Sequence, residues 1–353
     1  MGLSPHDHLE PLGGVTGVID ALASRRNLST EEAEAVMDAV FGGEVDPIQV
    51  AGLLVALRSK VETADELTGM VRSMVRHARP IALDVDAMDI VGTGGDGKGS
   101  VNISTMTALV VAGCGVAVCK HGNRAASSAV GTADVLEELG VTIDVEPEVV
   151  ANAVVSAGIG FCFAQAFHPA MRFVAPVRRT LGIRTAFNFL GPLSNPSRPS
   201  RLLVGTADPG MAEKMATVLG SNGVRRAWVV HSEDGLDELS LSAPAHVVEV
   251  VGDGSGAFEL ARWTLDPSSA GFSAVPMSEL LGGDAAKNAS VVRQVLAGQP
   301  GAPRQITLLN AAAALVVAER ASSIEEGATL AAASIDEGRA AAALEGLIAA
   351  TAN

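Results

Sequence analysis

Along the first eighty positions, apolar residues recur at the spacing of helices, with charged and polar residues between them. After Thr63, the side chains of Leu67, Met70, Val71, Met74 and Val75 fall on one helical stripe. Ser29 with Glu32 and Thr63 with Glu66 have the spacing of capping boxes, in which hydroxyl and carboxylate each satisfy an unpaired backbone N–H of the first turn. Asp46 before Pro47 has the form of an N-cap followed by a first-turn proline. The pattern predicts short amphipathic helices over residues 1–80. In so small a module, an apolar stripe serves a subunit interface as readily as the module's own core.

From Asp84 the period changes. Short apolar runs (AMDIV, VAVCK, FCFA, LLVGTA, AWVVH) alternate with helical stretches (STMTALVVAG, ADVLEELG, PEVVANAVVSAG, GMAEKMATVLG). This alternation predicts a mostly parallel sheet covered by helices. The expected fold class is α/β, with a small all-helical N-terminal domain over 1–80, joined by part of 168–190, and a large α/β domain with a mostly parallel central sheet over 81–353. GPLSNPSRPS reads as a surface loop, crowded as it is with Pro and Asn. PAMRFVAPVRRTLG reads as helical with a break or a new start at Pro176. HVVEVV and FELARWTL read as a β ribbon, followed by Ala-rich helices with no strict repeat.

With 353 residues, 48% hydrophobic and 18% charged, the chain can bury a large core and has room for two domains. Aromatics make up 3% and Tyr is absent, so Ala, Val, Leu and Ile must do the packing. The formal net charge of -15 argues against a nucleic-acid or anionic-membrane surface. Cys114, Cys119 and Cys162 form no CxxC pair and lie in apolar runs, which predicts buried reduced thiols over a zinc site. The N-terminus lacks a basic segment followed by an apolar one, and no uncharged apolar run reaches membrane-spanning length. A soluble cytoplasmic protein is expected.

The candidate chemistry concentrates in IVGTGGDGKGSVNIST, residues 90–105. Ile90 and Val91 end a strand, glycines crowd from Gly92 to Gly99, and a helical pattern resumes at Met106. Strand, glycine loop and helix start together make an anion cradle of backbone N–H groups and a helix dipole. Asp96, Ser100, Asn102, Ser104 and Thr105 add oxygen and amide groups suited to sugar hydroxyls and a hard cation. The spacing fits neither the dinucleotide-binding GxGxxG nor the P-loop. A second loop, KHGNRAASSAVGT, places Lys120, His121, Asn123 and Arg124 at a strand's C-terminal end, with Ser127, Ser128 and Thr132 before the next helix. Two such loops favour a ligand with two phosphate ends. A third cluster, SEDGLDELS, carries Glu233, Asp234, Asp237 and Glu238. It is as readily a solvated acidic loop as a magnesium site. Of the adjacent Arg178 and Arg179, one is expected to face solvent and the other to clamp a carboxylate. His121 and His168 are candidate acids or bases, or structural hydrogen-bonding groups.

GTGGD, NIST, KHGNR, TADVLE, RRTLGIRTAFNFLGPLSNP and DGLDE stand in this order, and together they resemble the anthranilate phosphoribosyltransferase family of tryptophan biosynthesis. The resemblance runs from the helical start to the last helices and implies a type III phosphoribosyltransferase fold. It implies a homodimer joined through the helical domains, and transfer of the phosphoribosyl group of phosphoribosyl pyrophosphate (PRPP) to the amine of anthranilate. Position by position, it implies PRPP contacts at Gly92, Gly95, Asp96, Ser100, Asn102, Ile103, Ser104 and Thr105. It extends them over the loop Lys120, His121, Gly122, Asn123, Arg124, Ala125, Ala126, Ser127 and Ser128, with Thr132. It implies anthranilate contacts at Gly92, Asn123 and Arg178, and magnesium ligands at Ser104, Asp237 and Glu238, with two ions per subunit. Neither a covalent nucleophile nor a nucleic-acid or membrane partner is implied. The chain departs from the family pattern at Ala129 and Val130, where Lys and Ser are common, and at Thr132, where Ser is common. A pyrimidine nucleoside phosphorylase-like enzyme is the nearest rival, though KHGNR and DGLDE fit it poorly. A noncatalytic nucleic-acid-binding relative is the more distant one.

Overall fold

A computed structural model describes residues 8–125 and 130–352. The helix starts fall where the caps are expected. Ser29 Oγ accepts from Glu32 N at 3.2 Å while Glu32 Oε2 accepts from Ser29 N at 2.9 Å, and Thr63 and Glu66 form the same reciprocal pair. Asp46 Oδ1 accepts from Ile48 N at 2.8 Å. Helices Gly14–Ala23, Thr30–Gly42, Pro47–Lys60 and Ala64–Arg76 follow. Glu66 is also fully buried, so its charge must be paired. It accepts from Leu28 N and from Lys60 Nζ, both at 2.9 Å.

The seven-stranded sheet has the order β3-β2-β1-β4-β5-β6-β7. Its strands are β1 Met88–Gly92, β2 Val118–Gly122, β3 Ile159–Phe163, β4 Arg201–Gly205, β5 Arg226–Ser232, β6 Ala245–Gly252 and β7 Phe258–Leu265. β1 to β5 run parallel, and the expected ribbon, β6 and β7, adds antiparallel strands at one edge. The strand order reverses between β1 and β4, so the crevice over their carboxyl ends is where this topology places a ligand.

Side chains alternate across the strands and divide the core in two. Met88, Ile90 and Leu203 face helices Ile103–Gly113, Ala302–Val317 and Arg339–Thr351. Val91, Leu202 and Val204 face the other way, into one cluster with Met215 of helix Pro209–Ser221 and Val36 and Met70 of the N-terminal helices. Val174, Val177, Phe187 and Leu190 join that second cluster. The N-terminal helices thus share their core with one face of the sheet. At Pro176 the chain does restart: a 3-10 turn over Pro169–Phe173 gives way to helix Ala175–Leu181, with the proline in its first turn.

GPLSNPSRPS is not the surface loop its composition predicts, because residues from Pro192 through Pro196 are buried. The reason is Asn195, whose Nδ2 donates to Asp89 Oδ2 at 2.9 Å and to the Cys119 carbonyl at 2.8 Å. Asp89 is wholly buried on β1 and accepts from Ile90 N and His121 N through its other oxygen. Burial pushes its carboxyl up to about 6, against the pull of Lys120 and the Asn195 amide. All three cysteines are buried free thiols, and burial pushes Cys119 up to about 12. Trp228 on β5 and Trp263 on β7 pack edge to face, with ring centroids 4.8 Å apart. Among the described residues no helix is long and apolar enough to cross a membrane.

Asn195→Ala strips a donor from a buried carboxylate and from a buried carbonyl, at a cost of about 1–3 kcal/mol. The expected result is a lower urea midpoint with an unchanged slope, and a midpoint equal to the parent's would refute the clamp.

Candidate active site

β1 and β4 end side by side in Gly92 and Gly205. A Cβ on Gly205 would overlap the Asp237 carbonyl, and a Cβ on Gly92 would overlap the Asp237 carboxylate. The chain leaving β5 therefore folds back across both strand ends, directly over the switch point. Gly205 is absent from the sequence-based candidates, since in LLVGTA it looks like an ordinary strand end. The returning loop is held by its own serines: Ser232 Oγ donates to the Glu238 carbonyl at 2.6 Å, and Ser240 Oγ donates to Asp234 Oδ2 at 2.6 Å. Of its acidic residues, Glu233 faces outward beside His246, whereas Asp237 and Glu238 are each only 8% exposed. Behind them Asn310, buried on helix Ala302–Val317, accepts from Leu239 N at 3.0 Å and donates to the Leu239 carbonyl at 2.9 Å. No local pattern marks Asn310, whose partner lies far away in sequence.

Asp237 Oδ2 accepts from Gly94 N at 2.6 Å, joining the acidic loop to the glycine loop. Burial, then Asp96 beside it, pushes Asp237 up to about 7. Burial and Asp237 push Glu238 up to about 8, opposed by Lys120 and by a hydrogen bond with Ser104. Asp96 accepts from Lys98 N through one oxygen at 3.1 Å, while its other oxygen is buried without a partner. Lys120 is 2% exposed and lies beneath this group, donating to the Ile90 carbonyl at 2.5 Å and to Ser104 Oγ at 3.1 Å. Burial lowers the Lys120 pKa, while Asp89, Glu238 and Asp237 hold its charge in place. Hard oxygen donors that repel one another, one of them unpartnered, fit a magnesium ion. Among the described residues no three His, Cys, Asp or Glu side chains are grouped to hold a metal by themselves. Mg²⁺ suits such a site, because it takes few protein ligands and completes its shell with water and phosphate oxygens.

The glycine loop turns through positive φ at Gly94 (68°) and Gly95 (72°), which a side chain would strain. Its far side is laced to residues 280–282: Val101 N donates to the Leu280 carbonyl at 2.9 Å and Gly282 N to the Gly99 carbonyl at 2.8 Å. Arg184 donates to the Gly95 carbonyl at 2.5 Å. Ser100, Asn102 and Ser104 remain partly exposed, whereas Ile103 and Thr105 are buried.

The second loop leaves β2 on the neighbouring strand. His121 points inward: Nδ1 lies 3.0 Å from the Gly191 carbonyl and Nε2 lies 3.3 Å from His168 Nε2. Burial pushes His121 down to about 3 and His168 to about 4, so both imidazoles are neutral and structural rather than acid–base groups at neutral pH. Asn123 is exposed and its Oδ1 accepts from Arg124 N and from Gln165 Nε2. Arg124 is tied to Asp134 at 2.9 Å and to Glu137 at 2.5 Å on helix Thr132–Leu139, which begins at the candidate Thr132. Ala125 N donates to Asp134 Oδ2 at 3.3 Å. Ala126, Ser127, Ser128 and Ala129 lie outside the described residues. Arg179 is exposed, as expected of one of the two arginines, and Arg178 is half-buried with its guanidinium 5.4 Å from the Phe187 ring centroid. Burial lowers the Arg178 pKa, and it has no carboxylate partner among the described residues. A separate cavity of about 500 Å³ lies near the start of β4, lined by Arg72, Leu202 and Asn222 among others, and holds none of these candidates.

Residues 84–341 match the glycosyl transferase family a/b domain, and residues 16–78 match the helical bundle domain of the same family. Anthranilate phosphoribosyltransferase of Thermomicrobium roseum is 51% identical over 335 residues, covering 94% of this chain and 96% of that protein. The crystal structure of anthranilate phosphoribosyltransferase from Thermus thermophilus superimposes with a TM-score of 0.88 at 43% identity, over 95% of this chain and 99% of that one. The Saccharomyces cerevisiae enzyme in complex with PRPP and Mg superimposes with a TM-score of 0.86 at 26% identity, over 96% of this chain and 97% of that one.

Asp237 and Glu238 have folded pKa values raised above their ordinary ones, so the folded state binds more protons, and their contribution to stability falls between about pH 4 and pH 8. A divalent cation offsets that loss only once the carboxylates are charged. Millimolar Mg²⁺ should therefore raise the melting temperature more at pH 8 than at pH 5, and Asp237→Asn with Glu238→Gln should abolish the difference. Equal shifts at both pH values would count against a cation between these groups.

Proposed function

The chain belongs to the anthranilate phosphoribosyltransferase family, and on that premise we propose how its own residues carry the reaction. It transfers the 5-phosphoribosyl group of PRPP to the amine of anthranilate, releasing pyrophosphate, a step of tryptophan biosynthesis. The matches do not favour the nucleoside phosphorylase or nucleic-acid-binding readings. The observation that carries the site assignment is the convergence of the glycine loop, the β2 loop and the acidic loop on the carboxyl ends of β1, β2 and β4, with Gly94 N bonded to Asp237.

As the bond from C1 of PRPP to pyrophosphate breaks, the ribose gains positive charge and the leaving group gains negative charge. Backbone N–H groups of the glycine loop, the positive end of helix Ile103–Gly113 and Lys120 beneath Ser104 set a positive potential there, which stabilises the leaving group without a covalent nucleophile. Ser104, Asp237 and Glu238 would hold magnesium, two ions per subunit, and the metal supplies further charge neutralisation of the pyrophosphate. The exposed Asn123 and the Gly92 backbone orient anthranilate, and Arg178, with no carboxylate partner among the described residues, takes the substrate's carboxylate in a two-pronged hydrogen bond. The anthranilate amine need not lose a proton before attack, so positioning supplies much of the rate.

The helical bundle forms the smaller domain and carries the contact of a homodimer. Helix Pro47–Lys60 buries Leu53 and Leu57 on one side and leaves Ile48 81% and Val55 39% exposed on another, an apolar face suited to a second copy. Buried reduced thiols fit a cytoplasmic location.

Incubated with PRPP, anthranilate and Mg²⁺, the protein should quench anthranilate fluorescence, and omission of PRPP should abolish the change. Persistence of that change without PRPP would overturn the activity. Arg178→Ala should raise the KM for anthranilate at least about tenfold, the loss of a charge-assisted pair, and leave the KM for PRPP within about twofold. Equal rises in both would move the carboxylate site elsewhere.

A further inference from the structure

We propose that Asn288 is a positioning residue for the phosphoribosyl site: it holds the Asn102 side chain away from its own helix, so that the Ser104 and Thr105 amides and the Asn102 NH₂ group remain for the ligand. An asparagine at an N-cap ordinarily accepts a hydrogen bond from a first-turn N–H. Asn102 stands at that position before helix Ile103–Gly113 and makes no such bond. Ser29, Asp46, Thr63, Asp208, Asp284 and Ser323, at the caps of other helices, all do.

The backbone turns tightly at Asn102, where Ile103 N donates to the Val101 carbonyl at 2.8 Å, and the side chain is held outward by Asn288, 2% exposed on helix Ala285–Leu296. Its Oδ1 accepts from Gly283 N at 2.8 Å, and its Nδ2 donates to Asn102 Oδ1 at 2.8 Å. A backbone N–H can only donate, so Gly283 fixes which way the Asn288 amide lies. Asn102 must then present its oxygen to Asn288. Its NH₂ edge is left over, with no protein partner among the described residues, on a side chain that is partly exposed. The two segments interlock further: a Cβ on Gly282 would stand 2.8 Å from Asn288 Oδ1 and 2.9 Å from the Ser100 carbonyl.

The outcome is that the free edge of the Asn102 amide offers donors only, which acceptor-rich phosphate and ribose oxygens satisfy. This inference rests on the reading that Asn102 faces PRPP. Asn288→Asp keeps the acceptor for Gly283 but turns an oxygen toward Asn102, which must then reverse its amide and present oxygen to the ligand. The KM for PRPP should rise about tenfold, the worth of one hydrogen bond to a charged group, while the KM for anthranilate stays within about twofold. Asn288→Ser, whose hydroxyl still serves Gly283 but is too short to reach Asn102, should give the same split and stands in if the Asp variant does not fold. In an Asn102→Ala background Asn288→Asp should have no further effect. If a rise persists there, it comes from the added charge, and the proposal is overturned. It is also overturned, alone, if Asn102→Ala raises the KM for PRPP and neither Asn288 variant does. If Asn102→Ala itself leaves that KM unchanged, the reading of Asn102 as a PRPP contact fails first.

Discussion

Two missing Cβ atoms govern the mouth of this sheet. Because Gly92 and Gly205 end adjacent parallel strands with no side chains, the main chain at Asp237 can lie against the strand ends instead of arching over them. That contact brings Asp237 within reach of Gly94 and places Glu238 above Ser104 and Lys120. Burial beneath that contact, and then the closeness of the carboxylates to one another, raises the pKa values of Asp237 and Glu238. Groups packed this tightly ionise less readily, and a cation among them favours their charged forms.

Around this charged centre the supporting links are neutral amides. Asn195 holds Asp89 and the β2 backbone, Asn310 holds the acidic loop at Leu239, and Asn288 holds the glycine loop at Asn102. A buried amide can give and accept at once without the desolvation penalty of a charge, and it leaves the field at the mouth to the groups that face the ligand. The C-terminal helices, which carry none of the candidate residues, thereby fix the geometry of two loops that do.

What could be read along the chain was local. Ser29 with Glu32 and Thr63 with Glu66 act over three residues, and GTGGD, KHGNR and DGLDE each lie within one loop, so helix starts, strands and the three loops that meet at the sheet's mouth were legible. Roles that depend on distant partners were not. Asn195 sits in a Pro-rich stretch that looks solvent-exposed until Asp89, far back on β1, is seen to need its amide. Gly205, Asn288 and Asn310 carry no neighbouring signal, because their reasons lie in other elements. His121 was legible as part of a motif, but only the fold shows its ring turned inside against His168.

The scarcity of aromatic side chains has an optical consequence. With no tyrosine and with Trp228 and Trp263 in contact on β5 and β7, intrinsic ultraviolet emission arises from a single corner of the sheet. Loosening of the N-terminal helices alone would pass unseen in such a signal. Only agreement with a probe of helix content, such as circular dichroism, can establish that the two parts come apart together.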